Sequence, residues 1–64
     1  MSHYDAELLR QILQEDPKKL THATVYEALI RVIPGLDEMS PKYIEETVNE
    51  GFYLLKREGF DPTK

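Results

Sequence analysis

No cysteine occurs in these 64 residues. Disulfides and thiolate metal sites are therefore excluded, and a reducing compartment is compatible with the composition. Histidine occurs only twice, at His3 and His22. His3 falls at the start of the chain, and His22 falls in the first turn of a predicted helix, where a capping or edge role accounts for it. HExxH, CxxC, GxSxG and phosphate-cradling glycine loops are all missing. The three glycines stand singly. No apolar run approaches the ~20 residues that cross a bilayer. MSHYDAELL has no basic segment leading into an apolar one, so the expectation is a cytoplasmic protein with no membrane association. No repeat or low-complexity segment is visible.

Carboxylates are plentiful, yet they do not build a site. Asp37/Glu38 and Glu45/Glu46 are adjacent pairs, which diverge on a helix rather than converging on one ion. GLDEMSPKYIEE lacks the alternating ligands and turn glycine of a calcium loop. Neither a metal nor any other cofactor is expected. Twelve acidic residues against eight basic ones give a net charge of −4. That balance opposes general attraction to nucleic acid or anionic lipid.

What is present is helical patterning. With 41% apolar and 31% charged residues, the chain has enough apolar content to fold. Its length allows one domain, residues 1–64. Such a chain buries only about 60% of its unfolded surface, and its core supplies roughly 3–5 kcal/mol.

Three helices are predicted, at about 3–15, 22–33 and 41–58. In the first, Ser2 is the expected N-cap, and Leu8, Leu9, Ile12 and Leu13 form a stripe that Tyr4 extends. Asp16-Pro17 breaks it, because proline disfavours the helical region for its predecessor; it also offers an alternative, earlier start to the second helix. Thr21 caps the second helix, and Pro34-Gly35 ends it in a tight turn. Ser40-Pro41 opens the third, with serine as cap and proline at the first helical position. Ser40-Pro41-Lys42 also has the form of a proline-directed phosphorylation site, although the cap explains it fully. Gly59 closes the helix as C′, with Phe60 placed to pack on Leu55. Gly51 lies inside this helix at a cost of about 1 kcal/mol relative to alanine. The apolar period runs through it, from Ile44 and Val48 to Phe52 and Leu55, so it marks a close approach of a neighbouring backbone.

VYEALIRVI, residues 25–33, has almost no polar side. On a helical wheel its apolar arc spans roughly 220°: Val25, Ala28, Leu29, Val32 and Ile33, extended by Tyr26 and Ile30. One neighbour cannot cover that arc. The expected fold is therefore an all-α, compact three-helix domain with the second helix central and the others on its flanks. Tyr26 and Ile30, at one margin of the arc, are the candidate partner-binding residues, since leftover apolar surface on a small protein marks an interface. Tyr53, in the middle of the third helix's charged side, is a third candidate.

THATVYEAL, residues 21–29, resembles the start of recognition helices in winged-helix repressors such as the ferric uptake regulator family, and LLKREGF, residues 54–60, resembles a helix end in such domains. That resemblance implies helix-turn-helix DNA binding. Against it, no hairpin rich in β-branched residues follows, and Glu27 and Arg31 make no basic stripe. The reading favoured by the residues is a small non-enzymatic helical interaction module, a regulator, inhibitor or accessory subunit. It would act by binding a protein partner, as a homodimer in one form, with nucleic acid disfavoured.

Overall fold

Asp5 is the N-cap of the first described helix. The computed structural model describes residues 4–63, and the expected cap at Ser2 and the expected start at His3 lie outside them. Asp5 has extended backbone, and its carboxylate accepts a hydrogen bond from the Leu8 N–H at 2.9 Å. Helix α1 then runs Ala6–Ile12, shorter at both ends than the apolar stripe suggested. Its early stop has a clear cause. Leu13 is the C-cap, and the chain reverses through two left-handed residues, Gln14 (φ 60°) and Glu15 (φ 55°). The Glu15 N–H reaches back to the Arg10 carbonyl (2.7 Å) and the Gln14 N–H to that of Gln11 (3.0 Å). This is the paired bonding of a Schellman cap, with glutamine where glycine is usual. Asp16 then caps a 3₁₀ turn at Pro17–Lys19, so Asp16-Pro17 starts a separate turn and α2 does not begin there.

A left-handed glutamine is strained by roughly 1–2 kcal/mol. Gln14→Gly should relieve part of that strain and raise the thermal midpoint, unless the loss of the Lys19 ammonium's hydrogen bond to the Gln14 amide oxygen matters more. That bond is exposed; glycine should relieve roughly 1–2 kcal/mol of left-handed strain and give back about 0.4–1 kcal/mol through a freer unfolded chain, for a net gain of about 0.5–1 kcal/mol. A melting curve of Gln14→Gly at or below wild type would contradict the strain.

Helix α2, His22–Val32, begins where the sequence places it. Thr21 and Thr24 form a reciprocal capping box: the Thr24 N–H donates to Thr21 Oγ1 (3.3 Å) and the Thr21 N–H to Thr24 Oγ1 (3.1 Å). The Thr24 hydroxyl also donates to the Lys19 carbonyl, tying the preceding turn to the helix. Gly35 at φ 82° supplies the left-handed residue after Pro34, as expected. Helix α3, Pro41–Arg57, is the longest. Ser40 Oγ caps it by accepting from the Tyr43 N–H at 3.3 Å. At its other end Gly59 takes φ 84°. The Phe60 N–H bonds the Leu55 carbonyl at 3.0 Å, and the Phe60 ring is buried.

The fold is an all-α arrangement of three helices, with no strand among the described residues. The hairpin wing implied by the repressor resemblance is thus absent from residues 4–63. The second helix is not confirmed as central. All three helices pack against one another, α1 meeting α3 directly, and α2 and α3 share the most extensive face. The reason lies at Gly51. With no side chain there, Val25 and Leu29 of α2 and Leu9 of α1 all close on α3 at the same point. Leu9, Val25, Leu29, Val48 and Leu55 are fully enclosed around it.

The connection between α2 and α3 holds a second departure. Leu36–Glu38 form a 3₁₀ turn packed on α2, and Leu36 is fully buried. It adds a side chain from outside the three helices to the core.

Candidate interaction surface

The outer margin of α2 is set by its own register. Val25, Ala28 and Leu29 point inward and are buried. Tyr26 and Ile30, one helical turn apart, lean to the side and are half-buried against the core. Tyr26 meets the start of α3. Together with His22, Pro41, Ile44 and Glu45 it lines a shallow depression of about 300 Å³. The surface there is a tyrosine ring, a proline and an isoleucine, edged by one imidazole and one carboxylate. Ile30 is not among the lining residues; it continues the same side of α2 one turn on.

Tyr53 stands apart from this depression. It is 62% exposed, and the Arg57 guanidinium lies 5.8 Å from its ring centroid. Lys56 sits in the same relation to Phe52, at 5.7 Å. Each is a one-turn cation–π pair on the last turns of α3, worth about 0.5–1 kcal/mol when exposed. So Tyr26 and Ile30 belong to one margin, and Tyr53 is a separate contact group with an intramolecular neighbour already over its ring.

Two exposed apolar groups were not singled out by the sequence reasoning: Met39 and Tyr43, each 47% exposed. Neither falls on a helical stripe that would have flagged it. Met39 caps the 3₁₀ turn after α2, directly before Ser40-Pro41. Tyr43 lies in the first turn of α3 and acts electrostatically on the Tyr4 hydroxyl.

Tyr4 carries a perturbed titration. Its hydroxyl donates to Glu50 Oε1 at 3.0 Å, bridging the entry of α1 to α3. Burial first, then the hydrogen bond to the Glu50 carboxylate and its negative charge, push the Tyr4 pKa up from 10.0 to about 12. The neutral phenol is therefore the form the fold favours. Its contribution to stability is complete below pH 10 and is lost as pH rises through about 12. An ultraviolet titration of the tyrosinates should show a late step near pH 12 that disappears in Tyr4→Phe. If Tyr4→Phe leaves the titration curve unchanged in shape, the bridge to Glu50 is not formed in solution.

The rest of the titrating surface offers little for chemistry. The Arg10–Glu15 pair, at 3.6 Å, is exposed on the acid side and too long for a hydrogen bond. Among the described residues no group of three or more His, Asp or Glu side chains gathers to hold a metal ion. None of the helices in those residues is long and apolar enough to cross a membrane. His22 lines the depression beside Tyr26 with Glu45 as the only carboxylate among the lining residues. Comparison with protein-family models, with curated proteins and with solved structures finds no match.

Proposed function

We propose that this chain is a small, non-enzymatic, cytoplasmic helical interaction module, a regulator, inhibitor or accessory subunit that works by binding another protein, with a homodimer as one form. The supporting observation is the half-buried Tyr26, which opens onto solvent with Pro41 and Ile44 in a depression between α2 and α3. A tyrosine in that setting offers a large, stiff, amphipathic contact at low entropy cost. Ile30 extends the contact along α2, and Tyr53 is a weaker, separate contact. The net charge of −4 keeps the monomer soluble while the patch is uncovered.

Sedimentation velocity over a wide concentration range tests the reading. The wild type should sediment faster as concentration rises, and Tyr26→Lys/Ile30→Lys should stay monomeric throughout. A wild type that is monomeric at every concentration removes the homodimer. In a mobility-shift assay DNA should not be retarded; retardation with a steep salt dependence would instead support the helix-turn-helix alternative.

A further inference from the structure

The Tyr26 depression carries both halves of a polar pair, and neither half is used within the chain. His22 and Tyr26 are four apart on α2, so they share one side of that helix. Pro41, Ile44 and Glu45 share a side of α3 in the same way. These two sides are the walls of the depression. His22 stands on the α2 wall and Glu45 on the α3 wall, and both residues are exposed. The rest of the lining is a half-buried tyrosine, a half-buried isoleucine and an exposed proline. Among the described residues, neither the His22 nor the Glu45 side chain makes a hydrogen bond or an ion pair.

We infer that a second copy of this chain occupies the depression, arranged so that His22 of each copy meets Glu45 of the other. The inference rests on the interaction reading above and names the occupant. A two-fold interface is self-complementary: a contact made across the axis in one direction is made in the other as well. An axis passing between the two walls sets the imidazole of each copy against the carboxylate of the other, and apolar lining against apolar lining. An imidazole N–H donates to a carboxylate whether the ring is neutral or charged, so the contact does not depend on titration. The patch offers one donor and one acceptor, and a second copy matches both without any further group. A partner surface of one charge sign would satisfy one of the two and leave the other unpaired. The net charge of −4 on each copy opposes the contact only weakly, because salt screens surface charges beyond about 8 Å at physiological ionic strength.

The test mixes two variants of the intact chain and reads association by sedimentation velocity at physiological ionic strength. His22→Glu sets carboxylate against carboxylate at both contacts, and Glu45→Lys sets ammonium against imidazole. Both positions are exposed, so the far-ultraviolet dichroism should match wild type. Each variant alone should self-associate about tenfold or more weakly than wild type, within the range of charge-pair effects at interfaces. Mixed in equal amounts, the two should associate with each other. The new glutamate of one then meets the new lysine of the other, and the native Glu45 of the first meets the native His22 of the second. Glu27→Lys makes the same change in net charge at an exposed site on α2, where it borders a different depression with Gln14 and Arg31; it should not weaken association. A mixture as monomeric as its components, or equal loss in Glu27→Lys and Glu45→Lys, overturns the inference. If that occurs while Tyr26→Lys/Ile30→Lys still abolishes wild-type self-association, the interaction reading stands and only the pairing of His22 with Glu45 falls. A wild type that is monomeric at every concentration removes the second copy as occupant. Self-association that survives the double lysine variant and both single exchanges removes the interaction reading as well.

Discussion

Leu29→Ala should unfold most of the protein at room temperature. Leu29 is fully buried on the inward side of α2, and its Cδ1 stands 3.4 Å from the position a Cβ would occupy on Gly51. Three helices meet at this point, so the cavity cannot close by the movement of one side chain. Removing a leucine from such a site costs about 2–5 kcal/mol. A domain of this size has roughly 3–5 kcal/mol in total, and no disulfide supplements it. The expected result is a flattened thermal melt and weak helical dichroism. A melt that matches wild type would mean the three helices do not share this centre.

Gly51→Leu is the converse change and should be nearly as damaging. A Cβ alone at this position would lie 3.2 Å from Val25 Cγ1, 3.4 Å from Leu29 Cδ1 and 3.8 Å from Leu9 Cδ1. An isobutyl group has nowhere to go without pushing α2 and α1 off α3, and overpacking of this kind costs typically about 1–3 kcal/mol. Gly51→Ala separates the terms. Alanine gains about 1 kcal/mol of helix propensity, and its methyl needs the Val25 side chain to give by a few tenths of an ångström. The two should nearly cancel, so the alanine variant should melt within a few degrees of wild type while the leucine variant loses cooperative melting. A leucine variant as stable as the alanine variant would show that the helices do not cross closely at residue 51.

The legible parts of this fold are those governed by local rules. Thr21, Ser40, Gly35 and Gly59 each do what their residue type permits at a helix end, and these chemistries are written in single residues. Gly51 was legible as a close-approach point because the apolar period passed through it unbroken. The first helix was not legible at its end. Leu13 keeps the apolar stripe, so nothing in the pattern marks the reversal at Gln14 and Glu15, and neither residue favours a left-handed backbone. Leu36 was not legible either. It is a lone leucine between Pro34-Gly35 and two acids, and its burial comes from the packing of its 3₁₀ turn on α2. The arrangement of the helices went the same way. A wide apolar arc on α2 required two neighbours but could not state that those neighbours also touch each other.

The candidate surface divides similarly. Tyr26 and Ile30 stood out as the margin of an over-wide arc, and they occupy that margin half-buried. Pro41 and Ile44 complete the depression from α3, a pairing that depends on where α3 starts relative to α2 and has no counterpart in sequence spacing. Met39 was invisible because a residue outside regular helix has no stripe to belong to.

The proposed interaction surface requires α2 to have two kinds of apolar surface, one enclosed by α1 and α3 and one left for a partner. Far-ultraviolet dichroism of Tyr26→Lys/Ile30→Lys beside Leu29→Ala, at one dilute concentration and one temperature, tests this most directly. Lysine stems at a half-exposed margin can lie along the apolar surface with their ammonium groups in water, whereas unpaired charges in a core are not tolerated. The double lysine variant should keep a helical spectrum and a cooperative melt under conditions where Leu29→Ala has lost both. A double variant that unfolds as completely as Leu29→Ala would place Tyr26 and Ile30 in the core and contradict the interaction surface.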